Sequence, residues 1–337
     1  MFTGHGVKFN KQILSIALLV LVMFLGSCGK EPQNEKVYRV GVLFGLGYFA
    51  PVIDGFKEKM AELGYIEGKN IVYDIQKVEF PIGNQHLIQK FLDDKVDLIF
   101  PFPTEATMET QEVTKGLDIP VVFACAAIED MNIVESVSHP GGHTTGVRYP
   151  GPDISIKRFE IMLELVPESK VIWIPYQRGY PIVVPQLKAL RPVAEAAGVR
   201  LIEFPADDAA EIQAELDRIS QLDDIGFDAI MAVAEPLFVT PDAFEVIGKF
   251  SYEHNIPAAG AIMIVGGYGS LFGVHVNSFS IGKQVAVIVD KVFKGIPVGT
   301  IPVVSPEYLF EINYKVAEKL GIEVPEGLLS RADKIIR

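Results

Sequence analysis

Tyr38-Arg39-Val40-Gly41-Val42-Leu43-Phe44, followed seven residues later by Pro51-Val52-Ile53-Asp54-Gly55-Phe56-Lys57-Glu58-Lys59-Met60-Ala61-Glu62-Leu63-Gly64, decides the fold class. The first run is short and apolar, as a strand requires. In the second, Val52, Ile53, Phe56, Met60 and Leu63 recur at helical spacing, Pro51 suits a first turn and Gly64 suits a C-terminal cap. The pair is a βα unit, and the same alternation continues downstream. Strands are expected at Ile71 to Val78, Val96 to Pro101 and Val121 to Ala126, with helices at Gly83 to Asp93 and Thr104 to Gly116. After the loop around Pro140-Gly141-Gly142 the pattern restarts. Helices are expected at Ile154 to Leu165, Pro181 to Ala197, Ala209 to Leu222 and Asp242 to His254, and strands at Val171 to Pro175, Arg200 to Phe204 and Ala229 to Val233. This alternation predicts an α/β protein of two similar lobes, each a parallel sheet covered by helices on both faces.

Upstream of the first strand, Lys8 and Lys11 precede an apolar run from Ile13 that closes on Leu25-Gly26-Ser27-Cys28. A cationic start, an apolar stretch of roughly a dozen residues and small residues before a cysteine resemble a bacterial lipoprotein signal. Residues 1–27 are read as that signal, Cys28 as the lipidated, palmitate-bearing N-terminus, and residues 28–36 as a polar tether. The apolar stretch falls short of the about 20 residues a membrane span needs. The expected location is extracytoplasmic, on a membrane through the lipid anchor, at the periplasmic face or cell surface.

The formal charge of −13 deepens to −15 when Lys8 and Lys11 are removed, which disfavours a nucleic-acid partner. With Cys28 lipidated, Cys125 has no disulfide partner and reads as a small buried apolar residue. No P-loop, H-E-x-x-H, G-x-S-x-G or C-x-x-C motif occurs, and His139 and His143 flank two glycines, so neither a metal nor a cofactor is indicated. Nothing in the spacing of the carboxylates indicates an enzyme.

Gly55-Phe56-Lys57-Glu58-Lys59-Met60-Ala61-Glu62-Leu63-Gly64-Tyr65-Ile66-Glu67-Gly68-Lys69-Asn70 resembles the first helix and turn of ABC-transporter substrate-binding lipoproteins related to tryptophan- and tyrosine-binding proteins. Further matches are Asp97-Leu98-Ile99, Ile119-Pro120-Val121-Val122-Phe123-Ala124, Pro140-Gly141-Gly142 with Thr145-Gly146-Val147, Ile281-Gly282-Lys283-Gln284 and Leu309-Phe310-Glu311-Ile312-Asn313. The resemblance covers roughly residues 38–325. It implies a type I periplasmic-binding-protein fold with a three-crossover hinge, lobe I being 37–147 plus 272–302 and lobe II 148–271 plus 303–337. It also implies a monomer that captures a small-molecule solute, an amino acid or an aromatic or heterocyclic compound, and delivers it to an ABC permease and ATPase complex. A sensory or interaction lipoprotein using the same cleft is the alternative. The sequence departs from the family pattern at Phe102-Pro103-Thr104-Glu105 and at Ala127-Ile128-Glu129, so the resemblance carries the family and leaves the solute open.

Ligands of such sheets bind beyond the carboxyl ends of the strands. The candidate ligand-binding residues on those loops are Tyr48, Phe49, Phe102, Thr104, Glu105, Glu129, Tyr176, Arg178, Glu235, Met263, His275 and Asn277. Tyr48 and Phe49 are an aromatic pair beside a helix start, where free N–H groups favour an anion. Glu105 either accepts from a ligand amine or complements its helix dipole. Arg178 is read as a carboxylate clamp or a surface-loop residue, and Glu235 as a ligand contact or a cap.

Overall fold

The computed structural model describes residues 1–4, 36–45, 47–78 and 83–337. The signal segment from residue 5, Cys28 and the tether to residue 35 lie outside the described residues. Among the described residues no helix is long and apolar enough to cross a membrane. The chain divides into residues 1–37 and a body from Tyr38 to Arg337, which carries every element named below.

The opening βα unit forms as its periodicity dictates. Strand β1 (Tyr38–Phe44) runs into a 3₁₀ turn at Gly47–Phe49 and helix α1 (Pro51–Glu62), which buries Val52, Phe56 and Met60. Gly64 follows the helix in a left-handed conformation at φ +96°, which a side-chain-bearing residue enters only at a cost. Strands β2 (Ile71–Lys77), β3 (Leu98–Phe102), β4 (Val121–Ala126) and β5 (Thr144–Arg148) complete a five-stranded parallel sheet in the order β2-β1-β3-β4-β5. Helices α2 (Gln85–Asp93) and α3 (Thr104–Val113) connect them. Alternation along β1 sends Val42 and Phe44 into the large core, while Leu43 joins Ile88, Phe91 and Ile99 on the opposite face.

A second sheet repeats the plan. Strands β6 (Val171–Gln177), β7 (Arg200–Ala206), β8 (Ala229–Met231) and β9 (Ala258–Ala259) lie parallel in the order β7-β6-β8-β9. Helices α4 (Gly151–Leu165), α5 (Val183–Ala196), α6 (Ala209–Ile219) and α7 (Pro241–His254) pack with them. Trp173 on β6 stacks between Phe204 and Phe227, while its neighbours Ile172 and Ile174 face the large core. A short hairpin, β10 (Ile264–Val265) with β11 (Tyr268–Gly269), follows β9.

The chain then crosses back. Strand β12 (Phe272–Val276) bridges β9 through Gly260 and Gly273 and pairs antiparallel with β13 (Tyr308–Asn313), to which β14 (Lys334–Ile336) adds in parallel. Helix α8 (Ser278–Phe293) packs on α1, β4 and β5, against the first sheet. Val304 returns beside Val147 as a parallel bridge. Two short helices, α9 (Tyr314–Leu320) and α10 (Glu326–Arg331), close the chain. The sheets are therefore joined by three crossings, after Arg148, at Asn277 and after Val304. Residues 272–276 pair with β13 and bridge Gly260 at the edge of the second sheet, and Val304 bridges Val147 of the first. The core follows the hydrogen-bonding edge, which a run of apolar residues does not reveal by itself.

Candidate functional site

Near the carboxyl ends of the two sheets, six side chains lie within one another's hydrogen-bonding or electrostatic reach. Tyr48 leaves the turn after β1, Glu105 the first turn of α3 and Tyr149 the end of β5. From the second sheet come Arg158 on α4, Tyr180 in the loop after β6 and Glu235 after β8. The Tyr180 hydroxyl donates to Glu105 Oε1 at 2.6 Å and so joins the two sheets directly. Tyr48 keeps 59 % of its surface open, yet its hydroxyl titrates well above the ordinary tyrosine range. Enclosure by protein is the main cause, Tyr149 adds to it, and Arg158 opposes it. An aromatic ring reachable by solvent but walled by protein describes a cleft. Tyr149 shifts in the same direction through burial, with Arg158 opposing, and Tyr180 does so through burial and the charge of Glu105.

Arg158 is 3 % exposed. Its Nε and Nη2 fork onto the carbonyl of Val274 at 3.1 and 2.9 Å, and Nη1 donates to the carbonyl of Ala232 at 3.1 Å. It thus ties the end of β8 to β12. Burial pulls its pKa below the usual value, while Tyr149, Tyr48 and Glu235 support its charge. Glu235 is equally enclosed. Its Oε2 accepts from the N–H groups of Gln177 at 3.1 Å and Leu237 at 2.8 Å, and its Oε1 from that of Phe238 at 2.7 Å. Burial pushes it up to about 6 against the pull of those three donors and of Arg158.

The remaining candidates are distributed as follows. Phe49 is buried, meeting Tyr48 edge-on at 5.2 Å and Tyr149 at 6.3 Å. Phe102 is fully buried and stacks on Phe44 at 5.4 Å, and Thr104 Oγ1 accepts from the Ala127 N–H at 3.0 Å, so both build the wall beneath Glu105. Glu129 pairs with Arg148, which also holds Asp153 at 2.8 Å and Ser305 at 2.7 Å across two of the crossings. Tyr176 lies within the electrostatic reach of Glu203, Arg191 and Arg178. Arg178 is exposed and taken up by Asp207, at 3.0 Å, and Glu211. Met263 packs on the far face of the second sheet, His275 meets Glu311 at 3.2 Å, and Asn277 caps α8 by accepting from the Ser280 N–H at 3.0 Å. The structure therefore gathers Tyr48, Glu105 and Glu235, with Phe49, Phe102 and Thr104 behind them, and leaves Tyr176, Arg178 and Met263 apart.

Tyr149 and Arg158 were not among the predicted site residues. Arg158 carried a signal. It stands in the apolar stripe Ile154, Arg158, Ile161, Met162, Leu165 of an amphipathic helix, where a charge must have a buried partner or purpose. Chemically the cleft offers phenols, a buried cation and carboxylates. Cys125 lies buried at a bulge with φ +52°, and burial raises its thiol far from reactivity. Among the described residues no group of three or more His, Cys, Asp or Glu side chains is placed to hold a metal ion.

Two helix-covered parallel sheets, three crossings and a polar-aromatic cleft between strand ends define a bilobal solute receptor of the periplasmic-binding-protein class. Residues 49–336 match the family described as ABC transporter substrate binding protein, and the chain belongs to that family. Its members are solute receptors rather than enzymes. The chain is 25 % identical over 317 residues to the tyrosine-binding protein of Clostridioides difficile, covering 88 % of each. Among solved structures it resembles a conserved domain protein of Vibrio cholerae, with TM-score 0.76 and 24 % identity over 89 % of this chain and all of that one. It also resembles an ABC domain in complex with L-Trp from Streptococcus pneumonia, with TM-score 0.74 and 23 % identity, again covering 89 % of this chain and all of that one.

Proposed function

We propose that the protein is a lipid-anchored extracytoplasmic receptor that captures one small solute between its lobes and hands it to an ABC importer. The solute is an amino acid or a related aromatic or heterocyclic compound. The observation that carries this reading is the meeting of Tyr48, Glu105, Tyr149, Arg158, Tyr180 and Glu235 between the two sheets, joined by the Tyr180–Glu105 hydrogen bond. A solute that touches residues of both lobes favours the closed state by the contacts it makes only there. We assign residues 38–147 with 278–304 to the first lobe and 151–276 with 308–337 to the second. The Arg148 cluster sits at the hinge. The Leu25-Gly26-Ser27-Cys28 sequence supports anchoring, which Cys28→Ser tests through loss of radiolabelled palmitate from the protein.

Solute capture is tested by thermal shift with purified protein freed of carried-over ligand. A solute at about 100 times its dissociation constant adds about 2.7 kcal/mol to the folded state. A clear shift within one chemical class, weakened by Tyr48→Ala, supports the reading. The same shift in the Tyr48→Ala variant as in the wild type would place the solute elsewhere.

A further inference from the structure

We propose that Glu105 is the receptor for a protonated amine on the solute, an inference that rests on solute capture in this cleft. Its two carboxylate oxygens have different fates. Oε1 accepts the Tyr180 hydroxyl at 2.6 Å, which fixes the carboxylate plane. Oε2 is buried, and no donor among the described residues meets it. A buried acceptor left without a donor is costly, more so when charged, so a fold keeps one where something else supplies the bond.

The other charges of the cleft are already engaged. Arg158 gives three hydrogen bonds to carbonyls and lies in the field of Glu235, whose oxygens hold three backbone N–H groups. The two other arginines near these loops are held elsewhere, Arg178 by Asp207 and Glu211, Arg148 by Glu129 and Asp153. With Arg158 balanced against Glu235, Glu105 is the negative charge left over. An ammonium group satisfies both demands at once, donating to Oε2 and neutralising the carboxylate. The backbone under Glu105 is rigid, because Phe102 is stacked in the core and Thr104 is tied to Ala127. The open ring of Tyr48 adds a surface to which a solute of combined cationic and aromatic character is suited.

The test compares matched probes on the purified full-length protein: L-tyrosine against 3-(4-hydroxyphenyl)propionate, L-tryptophan against indole-3-propionate, and tyramine against 4-ethylphenol. The amine of at least one pair should bind at least about tenfold more tightly than its amine-free partner, the effect of one hydrogen bond to a charged group. Glu105→Gln should erase that preference while its ligand-free melting temperature shows it to be folded. Glu105→Asp, which keeps the charge, should retain part of the preference and provides the comparison if Glu105→Gln fails to fold. An amine-free probe that binds equally well, or a preference that survives in Glu105→Gln, overturns the inference and leaves solute capture standing. Absence of any shift across both halves of the panel overturns the assignment of Glu105 to the amine of an aromatic solute together with the aromatic amino acid reading.

Discussion

Gly55 of α1 and Gly282 of α8 lie at the point where the two helices cross. A β-carbon on Gly282 would stand 2.0 Å from the Val52 carbonyl oxygen and 2.6 Å from the Phe56 nitrogen, and one on Gly55 would stand 2.0 Å from the Phe279 carbonyl oxygen. Ordinary contacts of this kind are about 3.4 Å or more, so the helices must separate by more than an ångström. The obstacles are backbone atoms, which no rotamer change can clear. Overpacking of a core costs about 1–3 kcal/mol and occasionally more, and Gly282→Ala belongs at the upper end. Gly55→Ala should cost nearly as much, and the double variant clearly less than the sum, because one separation accommodates both methyl groups. Thermal unfolding followed by circular dichroism measures this, with about 2–4 °C lost per kcal/mol in chains of about 150–250 residues and somewhat less here. A Gly282→Ala melting temperature within a degree of wild type would refute the close crossing.

Three further outcomes follow from the cleft and the first sheet. Glu235 has a folded pKa of about 6 against an ordinary 4.5, so its ionisation opposes folding: the penalty is absent below pH 4.5, grows through the interval and is complete above 6, at about 2 kcal/mol. Wild-type stability should therefore fall by that contribution between these limits relative to Glu235→Gln, and identical pH profiles for the two proteins would contradict it. Arg148→Ala removes the bridge among Glu129, Asp153 and Ser305. Partial exposure limits its worth to about 1 kcal/mol, so stability should fall by about that amount and by less at high salt, which urea unfolding at low and high salt would show. Glu109 is buried and accepts from the N–H groups of Gly83 and Asn84 at 3.1 and 2.8 Å, before α2. Glu109→Ala should lower stability by about 1–2 kcal/mol in urea unfolding, as loss of a helix cap does.

Much of the architecture was legible because apolar periodicity reports burial directly. The helix over Pro51–Glu62 and the strand over Val121–Ala126 fall where the sequence placed them. Strand β5 was harder to read: Thr144 and Thr145 are polar, and their burial depends on neighbours distant in the chain, Thr145 Oγ1 donating to the Ile301 carbonyl at 2.6 Å. The pairing of β12 likewise depends on Gly260, too remote for local pattern to reveal. In the cleft, reading the strand-end loops picked out Tyr48, Glu105 and Glu235, which the structure places near one another. They could not distinguish Arg178, whose charge is taken up by Asp207 and Glu211, from Arg158, hidden within a helix. Which side a loop residue turns toward is set by tertiary contacts.

Closure of the two lobes around the solute is the central claim, and a cross-link over the mouth of the cleft tests it most directly. Lys188 Nζ on α5 approaches Asp130 Oδ2, in the loop after β4, at 3.3 Å on the exposed surface. Cysteines at both positions, joined by a short bis-maleimide, would hold the cleft shut, while Cys125 is buried and unreactive. Binding of the solute identified by thermal shift should disappear when the link is made on ligand-free protein, and solute enclosed before linking should survive dialysis. Unchanged uptake and release in the linked protein would show that the solute does not bind between the lobes.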